Sequence, residues 1–150
     1  MSWLSEPEKG DIMIDVTTYT DYRNRPTRLT DEELAWFHAH VDQAKRATGY
    51  QVEIITFDHD LLEKKHRDAL GCCVSTDPMN QLGEGVDTFI TIDCYFIHES
   101  FRHEVYGDFT LENKSLMDVI AHELAHLTVW RHGKKHTALT DKLLRQIQAA

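Results

Sequence analysis

Five consecutive residues, His122-Glu123-Leu124-Ala125-His126, constrain this chain of 150 residues more than any other stretch, because they lie inside a segment that reads as a capped amphipathic helix. Ser115 followed by Asp118 supplies an N-cap and an acidic third position, and Leu116, Val119, Ile120, Leu124 and Leu127 recur at helical spacing. Histidines four apart on a helix lie about 40° apart around the axis and about 6 Å apart along it, so both imidazoles can reach one ion. Zinc takes imidazole nitrogens at about 2.0–2.1 Å, and a reactive zinc site keeps three protein ligands and one open position for water. Glu123 directly follows the first histidine, which turns its carboxylate to the adjacent flank. There it can accept a proton without binding the metal. In a chain with ten histidines the pattern is expected about 0.05 times by chance, so its helical setting carries much of its weight.

A third ligand has to come from elsewhere, and no glutamate follows His126. His132, His136 and Asp141 remain, in that order of preference. On an unbroken helix His132 would lie about 15 Å along the axis from His122 and about 80° around it, out of reach of a shared ion. The chain must therefore turn first. Gly133 is the expected helix stop, and Arg131, Lys134 and Lys135 have the basic character of a helix C-terminus.

Upstream, Ile12, Ile14 and Val16 alternate as in a short half-buried strand. Thr30 and Glu33 form a capping box ahead of Leu34, Trp36, Phe37, Val41 and Ala44, which predicts a helix ending near Gly49. Residues 50–57 read as a strand. The 58–70 stretch is equally compatible with a short helix or a loop, and 71–85 reads as loop with weak edge structure around Cys72–Val74. Residues 87–97 carry the strongest strand signal, being rich in β-branched and aromatic side chains, and 98–112 read as a loop. A short terminal helix from about Thr137 places Leu139, Leu143, Leu144 and Ile147 on one face. The pattern predicts an α+β fold in which a small, mostly antiparallel sheet packs on the first helix and the motif helix. Residues 87–97 are the expected edge strand beside a metal cleft.

With 41% hydrophobic residues the chain can bury one core, so residues 1–150 are read as a single domain. A formal charge of −9 offers no basic face for nucleic acid. No run approaches the roughly 20 apolar residues of a membrane helix, and the first residues lack the pattern of a secretory signal. Cys72, Cys73 and Cys94 cannot all pair with one another, which fits a reducing, cytoplasmic setting. Cys72 and Cys73 are expected to be packing residues, as are Trp36 and Phe37. His38, His40, His59, His66 and His98 are expected to be solvated or partnered. His103 and Tyr106 precede the motif helix and are candidates to stabilise an oxyanion, with a surface role the alternative.

Met117 to Leu127 followed by His132-Gly133-Lys134-Lys135-His136 resembles the SprT-like zinc metallopeptidase domain, whose pattern is H-E-L-x-H, a spacer, and H-G-x-x before an aromatic or similar residue. The placement of a strand about twenty residues before the motif helix is also similar to that family. The resemblance implies a zincin-like fold, zinc as cofactor, His122, His126 and His132 as its ligands, and Glu123 as general base. His136 then takes the aromatic position, outside the ligand set. The implied activity is zinc-dependent hydrolysis of peptide bonds in flexible segments of proteins. The rival readings are a zinc-binding adaptor without turnover and a phage- or toxin-type effector protease with one protein target.

Overall fold

In the computed structural model, residues 29–59, 69–75, 88–107 and 114–150 are described. The expected strand at Ile12–Val16, most of the ambiguous 58–70 stretch and the 76–85 loop lie outside them.

The first helix, α1 (Asp31–Thr48), begins as its sequence dictates. The Thr30 side chain accepts from the Glu33 amide, the Glu33 carboxylate accepts from the Thr30 amide, and Gly49 ends the helix in the left-handed conformation. Leu34, Phe37, Val41 and Ala44 are buried. Strand β1 (Glu53–Phe57) follows, then β2 (Gly71–Ser75) and β3 (Thr88–Asp93). The sheet order is β1-β3-β2, with β1 parallel and β2 antiparallel to β3. The sheet is therefore mixed rather than mostly antiparallel.

The strand expected over 87–97 is shorter than its composition suggests, and it is central rather than an edge. It stops at Asp93, whose carboxylate accepts from the Phe96 amide and caps α2 (Cys94–Phe101). Cys94, Phe96 and Ile97 are buried in that helix. Burial from several sides produces an unbroken apolar run in a helix as in a strand, so periodicity could not place the boundary. The last turn of α2 and a turn of π-helix, Arg102–Tyr106, replace the first half of the expected 98–112 loop. Among the described strands the edges are β1 and β2, the latter at the site of the weak edge structure around Cys72–Val74.

The motif helix is α3 (Leu116–Ala125), opened by a Ser115–Asp118 capping box, and α4 (Lys134–Ala149) closes the described chain. α3 packs directly on β2 and β3, while α1 lies against α2, α3 and α4. One core joins Phe37, Ile90, Ile92, Ile120, Leu124 and Ile147. The fold is α+β. Among the described residues, no helix is long and apolar enough to cross a membrane.

Candidate metal centre

Because Val119, Ile120 and Leu124 turn inward, α3 is held against the sheet with its His122–His126 stripe facing a cleft. The helix does not run to Gly133. It tightens after Ala125 through bonds to carbonyls three residues back, from the amides of His126, Leu127 and Thr128 at 3.0–3.1 Å, and the Val129 amide closes the last turn on the Ala125 carbonyl at 2.8 Å. The four residues that follow, Trp130–Gly133, fold the chain back on α3. Gly133 serves the next helix instead, standing at the N-cap of α4 with φ of 154°, which side chains rarely adopt.

This early turn delivers His132. Its Nε2 lies 3.2 Å from Nε2 of His122 and 3.1 Å from Nε2 of His126. Two nitrogens bound tetrahedrally to one zinc at about 2.0–2.1 Å would stand about 3.3 Å apart, so the spacing suits that ion. The Nδ1–H of His126 donates to the Val129 carbonyl at 3.2 Å, which leaves the Nε2 lone pair toward the cleft. Burial and the neighbouring histidines push the His122 imidazole down to about 4, and burial lowers His126 as well. Both rings are neutral at pH 7, the form that binds metal.

His136 does not join the triad. It is buried on α4, its Nε2–H donates to the His122 carbonyl at 2.9 Å, and its ring stacks on His126 at 4.1 Å between centroids. It braces two of the candidate ligands from behind, which its position in the sequence does not signal. Asp141, third in the expected order, is exposed on α4 and does not line the cleft.

Glu123 is 5% exposed, and its Oε2 stands 4.0 Å from Nε2 of His122. Burial pushes its carboxyl up to about 8, opposed by the charge of Lys114. Gly71 of β2 lies so close that a Cβ there would be 2.9 Å from Cγ of Glu123. In the sequence Gly71 had counted only toward loop character. Its use is to let β2 pass over the glutamate, a contact between distant segments that composition cannot reveal.

The cleft holds about 720 Å³ and is walled by β2 on one side and by α3 with the Trp130–His132 loop on the other. Cys72 and Cys73 line it, with thiols pushed up to about 12 by burial and by Glu123, so they remain protonated packing groups. His103 and Tyr106 belong to the π-helical turn and do not line the cleft. The Tyr106 hydroxyl instead reaches Glu32 on α1 at 3.5 Å. A second group, Asp58, Asp93 and Cys94, brings potential ligand atoms within 4.8 Å of one another. Asp93 already accepts from the His59 and Phe96 amides at 3.0 and 3.3 Å, which fits a structural cap at the end of the sheet. Compared with models of known families, with curated proteins and with solved structures, the chain finds no match.

Proposed function

We propose that this chain is a zinc-dependent endopeptidase of zincin-like, SprT-like type, with His122, His126 and His132 as the metal ligands and Glu123 as the general base. The observation that carries the reading is the convergence of three Nε2 atoms, with two separations of 3.1 and 3.2 Å, on the side of the cleft where Glu123 is buried.

A zinc ion held by these residues supplies Lewis acidity, acidifying a water and polarising a scissile carbonyl. The protein's own part is positional and acid–base. Neutral His122 and His126 offer lone pairs with no proton to displace. Glu123 is too far round the helix to be a fourth ligand. Burial favours its protonated form in the metal-free chain, and the charge of a bound zinc would return it to the carboxylate that takes a proton from water and hands it to the leaving amine. The substrate backbone has a natural place on β2. Among the described residues that strand is paired on one side only, and its Gly71–Cys73 segment walls the cleft. An extended peptide added there would pass an amide in front of the triad. A domain of this size with an open cleft suits flexible segments better than folded cores. The acidic net charge favours protein substrates over nucleic acid, and the free thiols of Cys72, Cys73 and Cys94 suit a reducing, cytoplasmic setting.

The test is cleavage of unfolded casein by the zinc-loaded chain and by Glu123→Gln, with zinc measured in both. The proposal requires cleavage that falls by at least a hundredfold in the variant at unchanged zinc content. Equal cleavage by both proteins removes Glu123 as the base. Bound zinc without cleavage of casein or of any protein in a survey of new N-termini would favour the adaptor, and one newly cut protein in that survey would favour the dedicated effector.

A further inference from the structure

The cleft differs electrically from the rest of the molecule. The chain carries 25 acidic and 16 basic residues, yet among the described residues lining the cleft Glu123 is the one carboxylate. Lys114 and Arg131 are there with the three imidazoles. Lys114 immediately precedes the N-cap of α3, and Arg131 lies in the loop beyond its other end. A ten-residue helix spans about 15 Å, so the two cations bracket the triad from opposite ends. Both cationic side chains are exposed, and among the described residues neither has an ion-pair partner.

Two large apolar side chains stand beside them. Trp130 is 40% exposed with its ring edge-on to His126, and Leu70 is 39% exposed at the start of the β2 wall. Uncommitted cations around a partly enclosed apolar cleft focus their field into it and favour anions there over the strongly acidic surroundings.

We infer that the cleft selects peptide segments in which a carboxylate accompanies an apolar side chain. This rests on the peptidase reading for the location of the scissile bond, though not for the binding itself. The apolar group sits against Trp130 and Leu70, and the carboxylate pairs with Lys114 or Arg131. An acidic side chain and the free C-terminus of a peptide present the same chemistry, and the experiment separates them.

Binding is measured by fluorescence anisotropy on zinc-loaded Glu123→Gln, which retains bound peptide. Short unfolded peptides with a central leucine are flanked by Glu or by Gln, each made with a free and with an amidated C-terminus. The amidated Glu peptide should bind about tenfold tighter than its Gln counterpart at low salt, with the gap closing at high salt. Adding Lys114→Gln and Arg131→Gln should erase the gap with zinc content unchanged. A gain confined to free C-termini assigns the carboxylate to the peptide end. Equal affinity for all four peptides overturns the inference. Cleavage by the unmodified chain is read in parallel: charge-dependent binding without cleavage removes the peptidase reading alone, and cleavage with charge-independent binding removes the selectivity alone.

Discussion

Replacing Gly71 by alanine probes the packing that holds Glu123 at the triad. Gly71 is an ordinary strand residue paired with Ile92, and its φ is not among the positive ones. An alanine would suffer no backbone penalty and, by restricting the unfolded chain, would be expected to stabilise by about 0.4–1 kcal/mol. The obstacle is steric. The new methyl would stand 2.9 Å from Cγ of Glu123, 3.0 Å from its Oε2 and 3.0 Å from Cγ1 of Val119. Carbon contacts relax to about 3.5–4.0 Å, so roughly 0.5–1 Å must be found. Val119 is buried and β-branched, with one favoured rotamer in a helix, so it yields little. Either β2 backs away or the carboxylate moves. The first costs about 1–3 kcal/mol of stability, and the second about a hundredfold in rate if the shift approaches 1 Å. Thermal melts and kcat/KM on unfolded casein, with zinc content measured alongside, read both routes. An alanine variant that melts at or above the parent and cleaves equally fast would refute the reasoning.

Two further outcomes follow from the site. His136→Phe keeps an aromatic ring behind His126 but loses the N–H donated to the His122 carbonyl, so zinc affinity, measured by competition with a chromophoric chelator, should fall about 10- to 100-fold; unchanged affinity would show that His136 only fills space. The stability of the metal-free chain should be limited on both sides of neutrality. The Glu123 carboxyl is raised to about 8, so its contribution is full below the usual carboxylate range and is lost as pH rises through about 8. His122 is lowered to about 4, so its contribution is full above the usual imidazole value and is lost as pH falls through about 4. Melting temperature against pH in chelator should therefore fall on the alkaline side for the parent and stay flatter for Glu123→Gln. Parallel curves would remove the burial argument for Glu123.

The parts of the molecule legible in the sequence were those governed by neighbouring residues. Thr30 with Glu33, Ser115 with Asp118 and Gly49 fix helix ends through contacts within a few residues, and the four-residue spacing of His122 and His126 places both rings on one stripe. What was not legible depends on distant contacts. The parallel pairing of β1 with β3, which puts β3 in the centre, rests on contacts between strands more than thirty positions apart in the chain. The helix boundary at Cys94 is masked because its apolar residues are buried much as strand residues would be. Gly133 was read correctly as a break and attached to the wrong helix, since α3 had already ended at Ala125 and the glycine opens α4. His132 reaches the site because of that earlier turn. Gly71, Lys114 and the bracing role of His136 involve residues up to dozens of positions apart, and no local pattern announces them.

The central claim is that three imidazoles hold one metal ion, and native mass spectrometry of the zinc-supplied, desalted chain tests it most directly. The account predicts one zinc per chain in the parent and in Glu123→Gln, and none in the His122→Ala, His126→Ala double variant when circular dichroism shows it folded. Loss in His132→Ala but a retained, weaker site in His136→Phe should accompany it. A folded double variant that keeps its zinc, or a parent that takes up none, would contradict the account.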